Sequence, residues 1–90
     1  MNKGRRAIIN ELKAKVEAIK AQLEELDFPL EGVREDEQAA FDAMPEGLQA
    51  SAKGERSQEA ANQLEEAGSS LAEAISQLED TIQSLEDAAQ

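Results

Sequence analysis

Cysteine, histidine, tryptophan and tyrosine are all missing from this chain, and phenylalanine occurs only twice. Without cysteine there is no disulfide and no thiolate chemistry, and cysteine usage leaves the redox compartment open. Without histidine the chain lacks the commonest general base and the commonest transition-metal ligand. The hydrophobic share is 40%, but much of it is alanine, which argues against a thick globular core. Thin helix-on-helix seams need only Leu, Ile, Val and Ala. No window approaches the roughly 18 apolar residues of a membrane span, and the basic N-terminus lacks the continuous apolar stretch of a secretory signal. The expected location is therefore the cytoplasm, with no membrane contact. Basic residues are scarce as well: the net charge of −11 argues against direct nucleic-acid binding and against an anionic membrane surface.

What the chain does have is heptad order. Ala61, Leu64, Gly68, Leu71, Ile75, Leu78, Ile82, Leu85 and Ala89 follow a 3-4-3-4 spacing, with Leu at every d position and Ile at two a positions. A second series, Ile9, Leu12, Val16, Ile19, Leu23, Leu26, Leu30 and Val33, keeps the same spacing without a slip. Pro29 falls inside it. An interior proline removes one backbone hydrogen bond and crowds the carbonyl four residues back, so a kink near Pro29 is expected. Because the heptad phase survives on both sides, one kinked helix is favoured over a break capped by Asp27. Asn2 or Gly4 suits a first N-cap, and Ser51 a second. Met44 precedes a proline and is pushed out of the helical region, and Pro45-Glu46-Gly47 reads as a turn. Leu48 is expected to tuck in beside Phe41 and Met44. The chain is thus read as a single domain over residues 1–90, with a helix over about 4–43, a bend over 44–53 and a helix over about 54–89.

Two helices joined by so short a bend most simply lie antiparallel, making an all-α helical hairpin. Charge supports this. Residues 1–20 hold six Lys or Arg against two acids, whereas residues 57–90 hold eight acids and no basic residue. In an antiparallel pair the e positions face each other, which sets Lys13 against Glu86, Lys20 against Glu79 and Arg34 against Glu65. The acidic Asp27 then meets the neutral Ala72, and a slip of one heptad would set it against Glu65 instead. Single exposed pairs are weak, but as a set they discriminate between registers. On the other flank the g positions of the second helix are Ala60, Ala67, Ala74, Thr81 and Ala88, a smooth strip that permits close approach. Gly68 is expected to make room for Phe28 beside Pro29. A single two-helix seam buries little, so self-association through the alanine strip into a homodimeric four-helix bundle is expected.

The acids offer few routes to chemistry. Glu35-Asp36-Glu37 is the densest cluster, but adjacent helical residues diverge around the axis and nothing resembles a Ca²⁺ loop with its turn glycine and terminal Glu. Glu65-Glu66, Glu79-Asp80 and Glu86-Asp87 are sequence neighbours, not carboxylates converging across a cleft. No catalytic residue, cofactor site or metal site is expected, and the chain is read as non-catalytic. The f-position row containing Glu66, Glu73 and Asp80 raises a different idea, imitation of a phosphate backbone. Duplex DNA carries one charge per ~1.7 Å of axis, while the acids from Glu59 to Asp87 come at roughly one per 5 Å, so a solvated face explains the row better.

The segment VREDEQAAFDAMPEGLQASAKGE (Val33–Glu55) resembles one found in small helical proteins encoded by tailed phages and prophages. The stretch LEEAGSSLAEAISQLEDTIQSLEDA (Leu64–Ala88) is similar to their acidic, heptad-rich C-terminal halves. That resemblance transfers no catalytic or binding residue. It implies expression inside an infected bacterium or in a phage particle. The leading expectation is a small effector that engages a bacterial host protein, such as a defence or nucleic-acid-handling factor, in the host cytoplasm. Its contact residues would be Phe41, Met44 and Leu48 at the bend, with Glu66, Glu73 and Asp80 on the outer face. A scaffolding coiled coil and an acidic DNA mimic are the alternatives.

Overall fold

Asn2 starts the first helix. Its Oδ1 accepts the Arg5 backbone N–H at 2.8 Å, the N-cap geometry that satisfies one of the free amides of a helix start. The computed structural model describes residues 2–90 and contains helices α1 (Lys3–Asp42), α2 (Glu46–Gln49) and α3 (Ala52–Ala88), with no strand among the described residues. Helix α1 passes through Pro29 without a break. The carbonyl of Glu25 loses its helical donor there, and both residues are exposed, so water can take the place of the missing amide. None of the described helices is long and apolar enough to cross a membrane. The residues group into two units, Met1–Glu25 with Leu71–Gln90, and Leu26–Ser70.

In the first unit the start of α1 runs antiparallel to the end of α3. Lys13 Nζ meets Glu86 Oε1 at 3.0 Å, and Lys20 Nζ meets Glu79 Oε1 at 3.6 Å, as the e-to-e register requires. Along α3 the a and d residues Leu71, Ile75, Leu78, Ile82 and Leu85 are half-buried, as the heptads predict. Helix α1 departs from expectation. It turns its a and e positions inward, so that Ile9, Lys13, Val16, Lys20 and Leu23 are half-buried. The d residues Leu12 and Ile19 are left outside at 47% and 49% exposure. The ion pairs give a physical reason: they draw the lysine stems across the seam, where the methylenes cover apolar surface while the ammonium groups stay wet.

The second unit contains the turn. Helix α1 ends at Asp42, ahead of Met44-Pro45. The bend is more ordered than a plain turn, because Glu46–Gln49 form one helical turn, α2. Pro45 introduces it from an extended conformation (φ −57°, ψ 151°), and its carbonyl accepts the Leu48 and Gln49 amides at 2.8 and 3.0 Å. Ser51 then caps α3, its Oγ accepting from Gly54 N–H at 3.4 Å and donating to the Leu48 carbonyl. At Gly54 the backbone of α3 presses against the end of α2. A Cβ there would lie 2.7 Å from the Gln49 carbonyl carbon and closer still to the carbonyl oxygens of Leu48 and Gln49. Only glycine permits this approach.

Gly54, Ser57 and Ala61 are the buried residues of α3. They extend its a/d series toward the turn with small residues, Gly54 lying against the end of α2 and Ser57 meeting α1. Glu37, at an a position of α1, meets Ser57, whose Oγ donates to its Oε1 at 2.8 Å. Of the acidic run Glu35-Asp36-Glu37, the first two are exposed and Glu37 is half-buried. Alongside, the Gln38 and Gln58 amides exchange hydrogen bonds at 3.4 and 3.2 Å, and each also donates within its own helix, to Asp42 and Asn62. This unit is joined by small residues and polar side chains more than by large aliphatic ones.

Candidate interaction surfaces

Three surfaces carry the residues of interest. The first is the turn. Phe41 and Met44 are half-buried, and Gln49 Nε2 donates to the Phe41 carbonyl at 3.2 Å, tying α2 back to the end of α1. Leu48 is not tucked in as the pattern predicts but stays 46% exposed. The Leu48 and Gln49 carbonyls are committed to the contact with Gly54, which fixes α2 and leaves the Leu48 side chain outward.

The second surface is the acid row on α3. Glu66, Glu73 and Asp80 are all exposed, and among the described residues none of them forms an ion pair. The acids that do pair across helices, Glu79 and Glu86, occupy e positions, so the f-position row has its charge free. Near Lys20 an open groove is lined by Glu17, Lys20, Glu24, Glu79 and Ile82. Its single lysine is already engaged with Glu79. Among the described residues no three acids converge to hold a metal ion.

The third surface was not legible as a site. In the first unit Ile8, Leu12 and Ile19 stand exposed on α1; in the second, Leu26, Val33 and Phe28 do so. Leu12, Ile19, Leu26 and Val33 all occupy the d position, so an alternation expected to be buried supplies outward-facing residues instead. Phe28, at 88% exposure, points into solvent. A Cβ on Gly68 would meet nothing within 4 Å, so that glycine is not making room for Phe28.

The ion pairs perturb a few groups. The hydrogen bond to Glu86 raises the Lys13 pKa above its ordinary value, against a smaller opposing effect of burial. Arg34 pairs within its own helix, its Nη2 lying 2.6 Å from Glu31 Oε1, and not with Glu65 as the e-to-e register predicts. The hydrogen bond between them lowers the Glu31 pKa and raises that of Arg34; Glu65 adds only a weaker electrostatic contribution to the latter. A partner one turn away on the same helix leaves Arg34 little reason to reach across.

A scan of protein-family models and searches of curated proteins and of solved structures find no match to this chain.

Proposed function

We propose that the chain is a non-catalytic protein–protein interaction module that works as a homodimeric four-helix bundle and offers its turn to a partner protein. The observation that carries this reading is the set of large apolar side chains left outside its own seam: Ile8, Leu12, Ile19, Leu26, Phe28, Val33 and Leu48. Aliphatic residues spaced as heptads and left half-exposed are surface that another helix covers well. Leu48, left outward on the turn that follows Phe41 and Met44, is an aliphatic anchor of the kind a partner's pocket accepts. The resemblance to phage-encoded helical proteins points to a bacterial host protein as that partner, met in the cytoplasm.

A tagged chain incubated with bacterial lysate at low and moderate salt tests the effector reading. It predicts one stoichiometric host protein that survives moderate salt and is lost when Phe41→Ala is combined with Leu48→Ser. Recovery of the chain alone would favour the scaffolding role. The exposed and unpaired carboxylates of Glu66, Glu73 and Asp80 support a second reading, the acidic mimic. In that case added DNA would displace the partner, and replacing the three acids by Gln would abolish binding while the turn variant left it intact.

A further inference from the structure

The side on which a second copy sits follows from where the acids do not go. In the first unit the Lys13–Glu86 and Lys20–Glu79 pairs occupy one flank of the α1/α3 seam. The opposite flank is formed by the d and g positions of α1 and the g and c positions of α3, since antiparallel helices set like flanks together. That flank presents Ile8, Leu12 and Ile19 from α1, and Thr81, Ser84 and Ala88 from α3. This unit has nine Asp or Glu residues, and none stands at those positions. The charges at those positions are Arg5 and Lys15, and Lys15 Nζ is paired along α1 with Glu11 Oε1 at 3.7 Å, which neutralises a carboxylate at the border of the flank. An acidic chain that meets itself must keep carboxylates out of the contact, because like charges facing each other across an interface are strongly unfavourable.

We infer that this acid-free flank is the self-association face, on which a second copy lays its own Ile8–Leu12–Ile19 side, with the α3 acids turned outward. The inference rests on the homodimeric reading above and gives that dimer its interface. Within this unit Thr81 and Ala88 of the α3 strip form its edge, with Ile8, Leu12 and Ile19 at its centre.

The chain has no native cysteine, so single thiols can report on the face. Ile19→Cys places one on it, and Ala21→Cys places one on the exposed outer side of α1. Maleimide labelling of both is compared at protein concentrations where sedimentation shows the dimer and where it shows the monomer. The expected result is that Ile19→Cys is labelled about tenfold more slowly in the dimer than in the monomer, while Ala21→Cys is unaffected. Leu12→Asp should remain helical and sediment as a monomer. A dimer in which Ile19→Cys labels as fast as in the monomer, or one that persists in Leu12→Asp, would overturn this face and leave the homodimer standing. A wild-type chain that is monomeric at every concentration would overturn both.

Discussion

Gly54 is the residue the turn depends on most. Gly54→Ala forces a methyl into the Leu48 and Gln49 carbonyls, and overpacking of this kind costs about 1–3 kcal/mol, to be read from urea denaturation. Gly68→Ala should go the other way. The added Cβ meets nothing within 4 Å, and replacing a mid-helix glycine by alanine is worth about 0.5–1 kcal/mol. The same melts measured across pH test the ion pairs. Lys13 has a raised pKa, so its contribution is complete below the unfolded value and fades as pH climbs past the ordinary 10.5. Glu31 has a lowered pKa, so its contribution is present above the ordinary 4.5 and fades as pH falls through the folded value. Glu31→Gln should therefore remove part of the stability lost on acidification without altering the alkaline limb.

At the scale of the elements, the sequence was informative where apolar residues repeat and where opposite charges must meet. The α3 seam, the Asn2 and Ser51 caps, the continuity of α1 across Pro29, and the Lys13–Glu86 and Lys20–Glu79 pairs all follow from spacing. The rotation of α1 does not. A heptad series names two candidate positions for burial, and a small turn about the axis decides whether d or e joins a; here lysine stems took the place that Leu12 and Ile19 were expected to fill. Burial of Gly54, Ser57 and Ala61 is not evident from large apolar residues either. The positions 54, 57 and 61 do continue the a/d spacing, but with side chains too small to mark a hydrophobic seam. Heptad spacing does not choose between a partner three residues away on the same helix and one across the seam, and Arg34 takes the former, Glu31, in place of Glu65. Lys13→Cys with Glu86→Cys tests the register directly: a short bismaleimide should link them within one chain, and the same reagent should fail on Lys13→Cys with Glu79→Cys. Pro29→Ala restores a helical amide and should stabilise α1, by up to about 3 kcal/mol on the propensity scale.

For the whole molecule, charge and exposed apolar surface pull in opposite directions. A net charge of −11 on each chain opposes association, and the acid-free flank limits that repulsion without removing it. Screening should therefore favour the dimer, so raising NaCl from about 0.05 to 0.5 M is expected to tighten self-association. An acidic mimic bound to a basic groove would respond in the opposite sense, which makes salt a clean discriminator. Self-association is tested most directly by sedimentation equilibrium of the wild-type chain over a wide concentration range at moderate salt. A reversible shift from the monomer mass to twice that mass, with no further growth, is expected. A chain that keeps its monomer mass throughout, with its helices intact, would contradict it.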